Sequence, residues 1–228
     1  MNAQNQTAAT RVTVLDYGIG NLLNVVRALE HCGATVRVAE QASDVTHGGI
    51  MPDRMVLPGV GAFGDAMHEL RQRGFDDLIK QYAATERPFM GICVGAQLLF
   101  DVGEEHSSTG GHAGLGLIPG RVQAVPSTTP NGEALRIPHI GWSGLQLPPG
   151  LAGWNGTVLA GVAPNEPVYF VHSYAPVPLH EHHRLADTNY QGVRICAAVA
   201  RGSIYGCQFH PERSATAGLG ILRQFLLL

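Results

Sequence analysis

Phe89-Met90-Gly91-Ile92-Cys93-Val94-Gly95 constrains the fold of this chain more than any other stretch. Its first five residues form an apolar run of strand length with no polar alternation, as a strand covered on both faces requires. The pattern then continues directly as a helix over about Val94–Asp101. So abrupt a strand-to-helix turn needs small residues two positions before and two after its apex, because strand and helix must approach closely; Gly91 and Gly95 supply both. Cys93, at the apex, is then presented at the top of a parallel sheet flanked by helices.

The rest of the N-terminal half repeats this alternation. Arg11–Asp16 is a β-branched run closed by Tyr17-Gly18, and reads as a first strand. Asn21–Cys32 has helical spacing, with Leu22, Val25, Val26 and Leu29 on one face and Gly33 where a helix ends. Ala34–Ala39 and Met55–Leu57 read as further strands, and Asp65–Leu78 as a helix broken near Gly74. After about Gly103 the texture changes. A polar loop, Ser107–His112, precedes short strands at Val122–Val125, Val168–Val171, Ile195–Ala200 and Ile204–Phe209, separated by turns rich in Pro and Gly. Ala215–Leu227 closes as a helix, with Phe225-Leu226-Leu227-Leu228 read as its inner face. Residues 1–10 are polar and read as a disordered tail, and residues 11–228 as a single domain. The expected class is α/β, with a mostly parallel sheet and extra antiparallel strands in the second half.

Charge and cysteine usage exclude several functions. A formal net charge of −3 and the lack of any Lys/Arg run give no footprint for nucleic acid. No apolar stretch approaches the roughly 20 residues of a membrane span. The N-terminus has no export signal, and Cys32, Cys93, Cys196 and Cys207 show no paired spacing, so reduced thiols in the cytoplasm are expected. Cys32, Cys196 and Cys207 lie in apolar patterns and read as core.

Cys93 differs from them. The first turn of the following helix puts a partial positive charge beside its sulfur, and the helix amides can donate to an oxyanion. Phe209-His210-Pro211-Glu212 supplies what a thiol nucleophile lacks. His210 and Glu212, two apart on an extended segment, leave the same face, and Pro211 keeps His210 extended. The carboxylate can orient one imidazole nitrogen and leave the other for the thiol. Taken singly, Cys93 reads equally well as a buried structural cysteine, and His210-Glu212 as a solvated strand end. Together they form a split Cys-His-Glu triad.

Gly91-Ile92-Cys93-Val94-Gly95-Ala96-Gln97 and Phe209–Glu212 resemble the motifs of class I (triad) glutamine amidotransferases, whose fold is a flavodoxin-like sheet. Four further stretches narrow the resemblance to the family of glutaminase subunits of imidazole glycerol phosphate synthases. They are Asp16–Asn21 (DYGIGN), Leu57–Gly64 (LPGVGAFG), Pro138–Trp142 (PHIGW) and Tyr169–Tyr174 (YFVHSY). The resemblance runs in order from about Arg11 to the C-terminus. It implies a triad of Cys93, His210 and Glu212, with the backbone amides of Val60 and Val94 as oxyanion donors. It also implies that Gly61, Gln97, Glu105, Ser173 and Tyr174 surround the substrate, L-glutamine. Trp142, Tyr169 and Arg213 would face a (β/α)₈-barrel cyclase subunit in a heterodimer. Ammonia released by thioester chemistry would pass to that partner, for synthesis of imidazole glycerol phosphate and aminoimidazole carboxamide ribotide in histidine biosynthesis. No cofactor and no metal are expected.

The chain departs from that pattern at four positions. Val94 and Ala96 stand where Leu and Met are usual, which alters packing. Ser143 replaces Asn and Arg213 replaces Lys on the expected partner side, and an Arg fork does not substitute simply for an ammonium. Other motifs invite other functions. Gly59-Val60-Gly61-Ala62-Phe63-Gly64 matches a dinucleotide fingerprint, yet no acid follows at a strand end to hold a ribose. His180–His183 lacks metal-ligand spacing and reads as a polar turn. His172 reads as a hydrogen-bonded core imidazole or a pocket wall, and Trp142 as packing or an interface anchor. An amidotransferase feeding another acceptor, a stand-alone γ-glutamyl hydrolase, a silent scaffold and an oxidoreductase built on Gly59–Gly64 are the alternatives.

Overall fold

In the computed structural model, which describes residues 9–46, 49–107 and 110–228, the alternating half forms a parallel sheet. Most of the expected N-terminal tail, residues 1–8, lies outside the described residues, as do 108 and 109 of the polar loop. Strands β1 (Arg11–Leu15), β2 (Thr35–Ala39), β3 (Arg54–Gly59) and β4 (Phe89–Cys93) are joined by helices α1 (Leu22–His31), α2 (Phe63–Gln72) and α3 (Phe75–Ala83). β1 pairs in parallel with β2 on one side and β3 on the other, and β3 pairs in parallel with β4. All five residues of β4 are buried, because a strand covered on both faces leaves no position for a polar side chain. The helices bury one stripe each, such as Val25, Ala28 and Leu29 of α1. Gly74, with φ of +71°, separates α2 from α3; its left-handed backbone is the break that the sequence pattern showed.

After β4 come α4 (Val94–Gln97), β5 (Phe100–Gly103), β6 (His112–Ala113), β7 (Ile118–Ala124), β8 (His139–Gln146), β9 (Pro167–His172) and β10 (Tyr174–Pro178). β11 (Arg184–Tyr190), β12 (Val193–Arg201), β13 (Ile204–Cys207) and α5 (Ala215–Leu227) complete the order. The main sheet has nine strands in the order β2-β1-β3-β4-β13-β12-β11-β8-β9, and β10-β7-β5-β6 form a second. β13 lies parallel to β4, and every pairing beyond it is antiparallel. Burial changes accordingly: β9 alternates between exposed or half-buried and buried positions, as a sheet with one covered face does.

Two expectations need correction. The helix after Cys93 is a single turn, Val94–Gln97, rather than Val94–Asp101. The residues beyond it are drawn into the second sheet, where Leu99 O accepts from the amides of Leu117 and Ile118. The closing helix buries Phe225 and Leu226 but leaves Leu227 77% exposed. Consecutive helical residues step about 100° around the axis, so Phe225, Leu226 and Leu227 cannot all face inward, and Leu228 lies beyond the helix. Among the described residues no helix is long and apolar enough to cross a membrane.

The sheet order determines where chemistry can occur. β3, β4 and β13 are neighbours, so the segments leaving their carboxyl ends (Val60, Val94 and His210) converge on one crevice, the usual ligand position in an open α/β sheet.

Candidate active site

Cys93 is held by its backbone. Its φ of 55° and ψ of −114° are rare for an L residue, and the packing around the turn enforces them. A Cβ on Gly95 would stand 1.8 Å from Leu57 O, and one on Gly91 would stand 2.4 Å from Gly95 O. No larger residue fits at either position, so both glycines fill the role that the sequence pattern gave them. Gly59 belongs to the same contact: its Cβ would meet Tyr17 Oη at 2.4 Å and Gly95 N at 2.7 Å. The first glycine of the apparent dinucleotide fingerprint therefore serves close packing of β3 on the α4 turn.

His210 reaches the same place from the other side. Its Nδ1 donates to Glu212 Oε1 at 2.9 Å, and that oxygen also accepts from Asn21 Nδ2 at 3.0 Å. The ring is locked through its main chain, with His210 N donating to Tyr169 O at 2.9 Å and Ser214 Oγ donating to His210 O at 2.6 Å. Among the described residues no hydrogen bond claims the buried Nε2. Burial opposes charge on this imidazole, but interaction with the Cys93 sulfur and with Glu212 outweighs it and lifts the His210 pKa to about 10.

Cys93 and His210 line a cavity of about 490 Å³. Val60, Gly61, Val94, Gln97, Glu105, Ser173 and Tyr174 line it too, so the residues expected around a substrate are brought together. Two of them already have partners. Gln97 Nε2 donates to Tyr174 O at 3.0 Å and to Gln208 Oε1 at 2.9 Å. Glu105 Oε2 accepts from Phe63 N at 2.8 Å, which satisfies an otherwise unpaired amide in the first turn of α2. Val60 is half-exposed where β3 ends, and Gly61 has φ of +86°.

Trp142, Tyr169 and Arg213 form one cluster. The Trp142 ring, 53% exposed, meets the Tyr169 ring edge-on at 5.9 Å, and the Arg213 guanidinium stands 4.3 Å over Tyr169. Arg213 also lines the cavity, so the cluster adjoins the site. His172 combines both roles read for it, being buried, hydrogen-bonded and part of the cavity wall. In the His180–His183 turn the rings of His182 and His183 meet edge-on at 4.3 Å, with His183 buried. Cys196 and Cys207 are buried, and burial pushes both thiols up to about 12.

Sequence reasoning missed Asn21, His139 and Gln208. Gln208 Nε2 approaches Cys93 Sγ at 3.7 Å. Strand alternation could have found it, since 208 and 210 project from the same face of an extended segment.

Residues 13–228 match the family model described as glutamine amidotransferase class-I. The chain belongs to the class I glutamine amidotransferases. The amidotransferase is 44% identical over 215 residues to imidazole glycerol phosphate synthase subunit HisH 1 of Legionella pneumophila (strain Lens), covering 94% of this chain and 98% of that one. It is 41% identical over 217 residues to subunit HisH of Geobacillus thermodenitrificans, covering 95% of each. A chloroplastic protein of Arabidopsis thaliana, imidazole glycerol phosphate synthase hisHF, is 39% identical over 223 residues, which are 97% of this chain but 35% of that protein. Among solved structures, PurLQS from Thermotoga maritima superposes with a TM-score of 0.71 at 19% identity, over 96% of this chain and 98% of that one. At that identity the likeness shows the fold alone.

Proposed function

We propose that this amidotransferase hydrolyses L-glutamine through Cys93, His210 and Glu212 and delivers the ammonia to a (β/α)₈-barrel cyclase subunit. The observation that carries the reading is the His210 ring, bonded to Glu212 through Nδ1 and acted on by the Cys93 sulfur inside one cavity. An imidazole with a pKa of about 10 is cationic at neutral pH, so it holds the proton that the leaving amine needs. The Cys93 sulfur attacks the side-chain amide carbon, and the carbonyl oxygen becomes an oxyanion facing the backbone amides of Val60 and Val94. His210 passes its proton to the nitrogen, the C–N bond breaks, and ammonia leaves a glutamyl thioester. Neutral His210 then takes a proton from water. The resulting hydroxide adds to the thioester, and glutamate departs as the sulfur regains its charge. Glu212 stabilises the imidazolium in both halves. Loss of one such oxyanion donor costs about 3–4 kcal/mol.

The partner side rests on the Trp142–Tyr169–Arg213 cluster, whose exposed aromatic ring and stacked guanidinium are residue types that anchor interfaces. Likeness to HisH subunits supports a cytoplasmic heterodimer with a cyclase acting in histidine biosynthesis. There the ammonia attacks a ribulosyl-phosphate intermediate to give imidazole glycerol phosphate and aminoimidazole carboxamide ribotide. Similarity to one third of the hisHF protein, whose remaining length can hold a second component, supports the same arrangement. The test is glutamate release with and without the cyclase and its phosphoribosyl ligand. Large ligand-dependent stimulation is expected, whereas glutamate release indifferent to both would assign the chain to another acceptor.

A further inference from the structure

We propose that Gln208 is a positioning residue for the Cys93 sulfur, held by a buried chain of hydrogen bonds whose outer end is Ser143, beside the exposed Trp142. The proposal rests on Cys93 being the nucleophile of the reading above. Every proton in the chain can be assigned from one fixed group, the backbone carbonyl of Tyr174, which can only accept. His172 Nδ1 lies 2.9 Å from that oxygen and must therefore donate. Neutral His172 then has a bare Nε2, so His139 Nδ1, 3.0 Å away, donates to it. The remaining nitrogen of His139, Nε2, is left to accept the hydroxyl of Ser143 at 2.9 Å.

From the inner side the same carbonyl accepts from Gln97 Nε2 at 3.0 Å, which fixes which end of the Gln97 amide is the nitrogen. That nitrogen's other proton meets Gln208 at 2.9 Å, so the Gln208 atom there is the oxygen. The Gln208 NH₂ group is consequently turned toward Cys93 Sγ, at 3.7 Å. The sulfur itself lies 3.9 Å from Val171 O, its other polar neighbour on that side. Gln97, His139, His172 and Gln208 are all buried, and His139 is clamped between the rings of Phe170 and Tyr190, at 4.8 and 4.0 Å. Water cannot readily substitute for a missing member. The amide of Gln208 aims the sulfur and donates to it when it is charged, and Ser143 closes the outer arm of the chain, which helps hold the Tyr174 carbonyl that orients Gln97.

Of the titratable and charged groups around Cys93, His210 and Tyr17 interact with the sulfur, and Glu105, His172, Tyr174 and Arg213 line the same cavity; the test leaves all of them unchanged. Gln208→Leu keeps volume but removes the donor; Ser143→Ala removes the hydroxyl and Ser143→Thr keeps it. Two readouts are taken: iodoacetamide alkylation of Cys93 against pH, followed by peptide mass spectrometry, and kcat and KM for glutamine in the complex with the cyclase. In Gln208→Leu the alkylation profile moves to higher pH by about one unit and kcat falls roughly 10–100-fold with KM little changed. Ser143→Ala loses about threefold in kcat and Ser143→Thr restores it. A folded Gln208→Leu with the parent's alkylation profile and kcat overturns the proposal. If that variant does not fold, equal kcat in Ser143→Ala and Ser143→Thr overturns it instead. A parent chain that releases no glutamate, yet shows the alkylation shift in Gln208→Leu, defeats the glutaminase reading and upholds the positioning role.

Discussion

The two halves of the site are built by different means. The main chain of Cys93 is placed by the parallel half through backbone contacts: a strained φ, two glycines without room for a methyl group, and a strand pressed against a helical turn. His210 and Glu212 leave β13 and are placed by polar bonds, from Asn21, Tyr169 and Ser214. Backbone placement is rigid and intolerant of added atoms. Side-chain placement can be removed one bond at a time, and each loss is partial.

Substitutions in the two halves should expose that contrast. The largest effect is expected from Cys93→Ala, which removes the proposed nucleophile and little packing: glutamate release falls by roughly 10⁵-fold or more with fold and cyclase binding intact. Undiminished release from that variant would sink the assignment. On the polar side, His210→Ala should cost about 10³-fold in kcat and Glu212→Gln about tenfold less, because the amide oxygen still accepts from Nδ1. Equal losses would mean that Glu212 does more than orient the ring. Gly95→Ala tests the backbone side. Its methyl cannot coexist with Leu57 O, and a destabilisation of about 3 kcal/mol is expected in denaturant unfolding. A stable, active Gly95→Ala would show that the elbow is as forgiving as the base.

The smallest effect concerns acid. Burial lowers His139 to about 4 and His172 to about 3, so both are neutral in the folded chain when an unfolded chain would charge them near 6.5. Folding is therefore favoured above that pH, and the advantage is lost as pH falls from 6.5 toward 4. Each histidine contributes at most about 1.4 kcal/mol per pH unit. Thermal unfolding between pH 7 and 4.5 should show a shallower loss in His139→Gln than in the parent. His210 works in the opposite sense: raised to about 10, it favours folding below 6.5 and loses that contribution as pH rises through 10.

The sequence was most legible where the chain obeys one rule at a time. Continuous apolar strands, Gly33 and Gly74 marked the parallel half, and α5 was read over Ala215–Leu227, the residues it spans. The antiparallel half was harder because its strands carry breakers. β8 holds Gly141 and Gly144, and β10 holds Pro176 and Pro178. β10 tolerates its prolines because it is an edge strand, with no second neighbour requiring their missing N–H groups. The start of β5 was mistaken for helix because Leu98-Leu99-Phe100, a short buried apolar run, carries no period to separate the two. In the site, residues with intrinsic reactivity were found and their holders were not. Spacing could place Gln208 on the His210 face, but His139 matters through the bonds it makes, and sequence spacing does not show which side chains meet across a sheet.

The insertion of β13 between β4 and β12 carries a consequence in time. A ribosome makes the thiol elbow early, but the strand beside it, with its histidine and glutamate, emerges after twelve others. Until it slots into the middle of the sheet, the nascent chain has the proposed nucleophile without its proposed base, and β4 lacks its neighbour on that side. On the proposed triad, an incomplete chain would lack a working site because of its strand order.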